Sequence, residues 1–404
     1  MLCDQSVRQK VFHSFHSHPA MRLQALFFCL LAISWQASAE SRTWTNISGK
    51  TITAEMIASD KTTVSLQLPN GKTAKIPINT LSPEDRLWIA EQNKPGRPNF
   101  NAPWPDSAEI EDTFEVTTIE NGPEKYIYET PHFQFTCDAR LGSLVIKRLA
   151  FIFEATYEAN RRLPINNAPV SDPDYKFQAY LFEKRSDYHR AGGTPETAGM
   201  QIWRPSMGKF GRVIVPFESL GVKKVGKAYA IDYKDDDIKT LIHEITHLLM
   251  TNETKQEAWF CEGSAEYVGL SPYRTGKFNF KANRRPIMLA VTAFGVEKKR
   301  GRNLGKNIKA TSLKRLMTMS YRDFVTGPST NQHYGLAPLL VYFFYHVDGK
   351  GDGARIKKYV EALQKGASPD MARELLLDGR DWNKLADEIS SFWKRNGVTI
   401  EFES

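Results

Sequence analysis

Apolar and polar positions along the 404 residues fall into stretches of different period. A first apolar run, residues 25–33, follows Arg22 and stops short of Ala37-Ser38-Ala39. A basic start, a run too short to cross a bilayer and a small-x-small step mark an export signal over residues 1–39, with Met21 as an alternative start. From Arg42 the pattern alternates. Residues 51–55, 63–68 and 74–78 place apolar side chains at about every second position, and Pro69-Asn70-Gly71 is a hairpin turn. Ser82-Pro83-Glu84-Asp85 then opens a short helix. Residues 42–93 are therefore expected to form a small β domain, and Pro95, Pro98, Pro103 and Pro105 predict a linker over 94–107.

Residues 108–404 mix the two periods. Residues 126–135 read as a strand, 144–159 as an amphipathic helix and 176–182 as a strand. Residues 198–203 and 212–216 predict a hairpin. Ile238, Leu241, Ile245, Leu248 and Leu249 then recur at helical spacing, after Asp235-Asp236-Asp237, whose charges suit a helix N-terminus. From Leu313 onward the spacing is largely helical. Strands alternating with helices in the first half and a largely helical second half make the expected architecture α+β.

Composition adds limits. With 41% hydrophobic and 25% charged residues the chain can bury ordinary globular cores, yet no stretch has the roughly 18 apolar residues of a membrane span. The net charge of +8 is spread without a Lys/Arg stripe, so no nucleic-acid partner is expected. Cys3 and Cys29 belong to the signal. Cys137 and Cys261 remain, as one disulfide or two free thiols, and spacing alone does not choose.

The chemistry concentrates in His243-Glu244-Ile245-Thr246-His247. Histidines four apart on a helix share a face and can share one zinc ion, and the glutamate between them can take a proton from a water activated at the metal. The apolar positions of this helix cluster opposite the histidines, so one side packs and the other can hold metal. Fifteen residues after His247, Glu262 begins Glu262-Gly263-Ser264-Ala265-Glu266, a carboxylate pair at the same helical spacing. One can serve as a metal ligand, while Glu266 is the candidate to brace a histidine from behind.

At these residues the chain resembles the gluzincin metallopeptidases, in which HExxH on one helix is completed by a glutamate on the next. The Trp259-x-x-Glu262-Gly263-x-Ala265-Glu266-Tyr267 pattern is similar to their ligand helix, though the gap from His247 is shorter than in thermolysin or the aminopeptidases. The resemblance implies a thermolysin-like domain over 108–404 holding one zinc through His243, His247 and Glu262, with Glu244 as general base. It implies an oxyanion donor near Asn331-Gln332-His333-Tyr334-Gly335, with Tyr334 first and His333 second. It also makes Gly199-Met200-Gln201 the substrate-binding edge strand. Gln201 stands where aminopeptidases carry a glutamate for the substrate amine, which favours endopeptidase action on a peptide or protein substrate.

Trp44, Gly49-Lys50, the Leu68-to-Lys72 turn and Leu81-Ser82-Pro83-Glu84-Asp85 resemble the first homology domain of Sla proteins, an open five-stranded barrel of the src-homology-three kind. That likeness implies a docking module for a short peptide, or a spacer. The expectation is an exported zinc peptidase of the periplasm, envelope or extracellular space. Two alternatives stand beside it: an envelope adaptor with a structural zinc site closed by four protein ligands, and a zinc hydrolase of a non-peptide amide or ester.

Overall fold

A computed structural model describes residues 41–404 except 60–61, 93–97, 111–113, 124, 166–171, 173, 196, 208–209, 233–234, 251–255, 294–300 and 404. The expected signal at 1–39 and the start of the expected linker lie outside the described residues. The fold mixes helices with several separate sheets, as the α+β expectation had it.

The small N-terminal unit is an antiparallel sheet in the order β1 (Arg42–Thr45), β2 (Thr51–Ser59), β3 (Thr63–Gln67), β4 (Thr73–Pro77), followed by α1 (Pro83–Gln92). Alternation buries Trp44, Ala54, Val64 and Leu66 on one face, where Leu81 and Ile89 complete a core of their own. The guanidinium of Arg42 covers the rings of Trp44 and Trp88 and pairs with Asp85 at 2.6 Å, while Asp85 also accepts from the Thr45 N–H at 2.6 Å. These bonds tie α1 to β1. The described residues supply four strands and an isolated bridge between Asn46 and Leu81 where the resemblance implies five strands.

Part of the expected linker is docked. Trp104 stacks on Tyr345 with ring centroids 4.1 Å apart, and its Nε1–H donates to the Asp352 carbonyl at 3.1 Å. The Lys357 ammonium donates to the Ala102 carbonyl at 2.9 Å, and β5 (Ser107–Glu109) already pairs in a sheet. An aromatic side chain with a polar tip explains this, since it buries area and satisfies its N–H at once.

The larger unit is built on a six-stranded sheet. Its strands are β6 (Thr117–Asn121), β7 (Tyr126–Glu129), β8 (Phe133–Cys137), β9 (Phe177–Phe182), β10 (Met200–Ile202) and β11 (Arg212–Pro216), in the order β10-β11-β9-β8-β7-β6. The single strand expected at 126–135 is two antiparallel strands, because residues 130–132 turn, closed by Thr130 N–H to the Phe133 carbonyl at 2.9 Å. The expected hairpin is present as β10 on β11, with β10 at the sheet edge. A second hairpin, β12 (Val222–Val225) with β13 (Ala228–Ile231), separates it from the helix that follows.

α2 (Ser143–Arg162) lies on the sheet and packs against α4 (Asp235–Leu249), with the short α3 (Arg185–Arg190) between them in sequence. Then come α5 (Ala258–Gly269), β14 (Tyr273–Arg274) and β15 (Lys277–Asn279), which form a sheet with β5, and α6 (Arg284–Thr292). The helical remainder is α7 (Leu313–Thr318), α8 (Tyr321–Val325), α9 (Thr330–His346), α10 (Ala354–Gln364), α11 (Pro369–Leu377) and α12 (Trp382–Arg395). It is flanked by an unexpected parallel pair, β16 (Asn307–Ala310) before α7 and β17 (Thr399–Phe402) after α12. No described helix is long and apolar enough to cross a membrane.

Candidate metal centre

Helix α4 buries Leu241, Ile242, Ile245, Leu248 and Leu249 completely or nearly so, and this apolar face sets the opposite one toward α5. Within α4 the buried Thr246 accepts from Asn160 Nδ2 of α2 at 3.2 Å and donates to the Ile242 carbonyl, so the histidine helix is locked in rotation. Helix α5 runs between α4 and α9. Gly263 is required there. A Cβ at this position would lie 2.7 Å from the Ala337 carbonyl oxygen and 2.5 Å from a Val341 methyl, so only glycine lets α5 approach α9 and bring Glu262 inward. The side chains of Asp235, Asp236 and Asp237 lie outside the described residues.

These packings gather three donor atoms. His247 Nε2 lies 3.0 Å from His243 Nε2 and 3.2 Å from Glu262 Oε2, and His243 Nε2 is 3.5 Å from the same oxygen. Ligand atoms about 2.0–2.2 Å from a tetrahedral ion stand roughly 3.3 Å apart, so the triangle fits one metal. His243, His247 and Glu262 thus form a cluster able to hold a metal ion, and among the described residues no fourth His, Cys, Asp or Glu joins it. The carboxylate is buried, while the two histidine side chains keep about 15% and 16% of their surface open.

Electrostatics follow from the crowding. Burial favours neutral His243, but the bond to Glu262 and the charges of Glu266, Glu244 and Glu262 outweigh it and push the imidazolium up to about 9. Burial acts to raise Glu262, yet His247 and His243 hold it far below the usual carboxylate range. Glu244 moves the other way. Its desolvation exceeds the pull of the two histidines, so its carboxyl is raised.

Glu244 accepts from the Gln201 N–H of β10 at 3.0 Å, which joins the expected base to the expected substrate strand. Gly199 lies against the Glu244 side chain, and Met200 pairs with Ile214. The Gln201 side-chain amide donates to the Phe210 carbonyl at 3.1 Å, bracing its own hairpin. Tyr334, on α9, feels the charges of Glu262, Glu244 and Glu266; burial first and these carboxylates next push its phenol up.

His333 and Glu266 have partners other than those expected. His333 is buried, with Nδ1 2.9 Å from the Phe324 carbonyl and its ring beside Phe324, so it joins α8 to α9 as a packed helix terminus. Glu266 accepts from Arg302 Nη2 at 2.6 Å, and its effect on His243 is through charge. Cys137 and Cys261 are free thiols, not a disulfide: Cys137 is buried in β8 between neighbouring strands, while Cys261 on α5 has its Sγ 3.4 Å from Gln256 Oε1.

Two residues of the centre have no signal in the sequence pattern. The Tyr321 hydroxyl donates to Glu262 Oε1 at 2.7 Å, occupying the carboxylate oxygen that the histidines do not face. Arg302 lies with its guanidinium carbon 4.7 Å from the centroid of the Tyr334 ring. Both come from chain segments remote from the motif, and only the fold brings them in. Comparison with known protein families, curated proteins and solved structures found no match.

Proposed function

We propose that the chain is an exported zinc-dependent metallopeptidase of gluzincin type, its larger unit a thermolysin-like domain, cleaving internal peptide bonds. The observation that carries this reading is the three-donor cluster with Glu244 beside it. Two imidazoles and one carboxylate in a tetrahedral spacing suit zinc, and a set of three leaves a position open where a structural site would be closed by a fourth protein ligand. When bound by His243, His247 and Glu262, zinc supplies the Lewis acidity that makes water a nucleophile near neutral pH.

The protein's own groups do the rest. Glu244, with its carboxyl raised by burial and one oxygen held by the Gln201 N–H, takes the proton of the attacking water and passes it to the leaving nitrogen. Tyr334 donates its hydroxyl to the carbonyl oxygen as charge develops there. Strand β10, at the sheet edge, receives the substrate backbone as an added strand. Gln201 is a neutral amide, held by the Phe210 carbonyl, and offers no charged receptor for a substrate amine, which favours endopeptidase action.

The test is mass-spectrometric cleavage profiling of a peptide library by residues 40–404, with metal content measured alongside. Internal cleavage is expected with one zinc per chain. Glu244→Gln should keep the zinc and lose about 10²-fold or more of turnover, since a neutral amide cannot accept the water proton. An active Glu244→Gln variant would overturn the mechanism.

A further inference from the structure

Arg302 belongs to a short segment that is fixed without its side chain. The backbone N–H groups of Arg302, Asn303, Leu304 and Gly305 donate to the carbonyls of Ala290, Ala293, Val291 and Thr292 at 2.6–3.0 Å. The Arg302 carbonyl accepts from Asn331 Nδ2 of α9 at 2.8 Å. Leu304 packs so close to α9 that a Cβ on Gly335 would lie 2.6 Å from its methyl. The segment is therefore seated beside Tyr334 by backbone bonds and packing, and the guanidinium is left to do something else.

What it does is bridge two helices of the metal centre. Nη2 donates to Glu266, one turn beyond the ligand Glu262 on α5, and the cation covers the face of Tyr334 on α9. A part-exposed ion pair adds little to stability, so its geometry is the more informative property. A cation over a phenol ring is attracted by the ring's electron-rich face and restricts its orientation. It also offsets, at the phenol, the charges of Glu262, Glu244 and Glu266.

We infer that Arg302, anchored by Glu266, is a positioning residue that fixes the Tyr334 phenol relative to the metal cluster and favours it as a hydrogen-bond donor. This rests on the peptidase reading for its catalytic meaning, though the positioning itself does not. Glu266 then acts on the reaction through Arg302 as well as through its charge at His243. Planarity matters as well as charge, so lysine should replace Arg302 only in part.

The experiment compares Arg302→Met, Arg302→Lys, Glu266→Gln, Tyr334→Phe and the Arg302→Met/Tyr334→Phe double variant. Arg302→Met should lower kcat by about 10-fold or more with KM nearly constant and zinc content full, and Arg302→Lys should recover part of it. Added to Tyr334→Phe, Arg302→Met should cost less than about twofold, because residues acting through one contact are not additive. Losses that multiply in the double variant, or zinc lost on removing Arg302, would overturn the inference.

A second measurement needs no turnover: ¹⁹F resonance of 3-fluorotyrosine at position 334 in the metal-free protein. A single narrow signal is expected in the parent, and a shifted or broadened one in both Arg302→Met and Glu266→Gln. An unchanged signal in Arg302→Met refutes positioning even if peptides are cleaved. If the parent cleaves nothing yet the signal moves, the peptidase reading fails and the positioning stands.

Discussion

A single hydroxyl does much to define the candidate metal centre. Tyr321 donates to the outer oxygen of Glu262 and thereby leaves Oε2 to face the two histidines. Tyr321→Phe deletes that bond and keeps the ring. Zinc affinity, read by competition with a chelator, should fall by about 10-fold or more, the usual effect of removing a partner that orients a ligand. Unchanged affinity would show that Glu262 is held by packing alone. His243 gives a second expectation. A metal needs its Nε2 free of a proton, and the metal-free protein keeps that proton up to about 9. Between pH 9 and pH 6 zinc and proton compete, so this group weakens apparent affinity by about tenfold for each unit of acidification. Chelator competition across that range checks it, and a flat profile would contradict it.

At the scale of elements, the crossing of α5 on α9 controls where Glu262 stands. Gly263→Ala forces a methyl into the Ala337 carbonyl and Val341, so the helices must separate. An overpacking cost of about 1–3 kcal/mol is expected as a lower melting temperature, together with weakened zinc binding. A variant with parental melting and zinc content would show that the crossing can yield without moving Glu262. Local spacing identified α4, its buried face, the paired carboxylates of α5 and the β10–β11 hairpin, because each is a short-range pattern of burial. The turn at 130–132 was hidden by apolar residues on both sides of it, and β16–β17 joins segments about 90 residues apart in sequence. Arg302 and Tyr321 were invisible for the same reason. His333 and Tyr334 adjoin in sequence and both rings lie beside Phe324, and only the fold seats the first on the Phe324 carbonyl and brings the second within reach of the carboxylate charges.

Across the whole molecule, the boundary of the larger unit lies earlier than the prolines suggest. Trp104 sits on Tyr345, whose hydroxyl is 3.0 Å from Ser264 Oγ on α5, so the entering chain reaches the helix of Glu262 through one aromatic ring. A fragment beginning at Pro98 should load zinc and melt like the intact unit, while one beginning at Ser107 should be less stable by about 2 kcal/mol through loss of the stacked ring. Equal melting of the two fragments would show the docked segment to be idle. Strand β10 has a consequence of another kind. It is only three residues long, and one of its N–H groups is already spent on Glu244. On the proposed peptidase reading, so small a ladder gives an incoming peptide few main-chain bonds, and the footprint recognised through the backbone is correspondingly short. Preference among sequences then falls to side chains on either side of the scissile bond. The same brevity makes the edge a poor template for zipping two copies of the protein together, so an edge strand of this length need not become a route to aggregation.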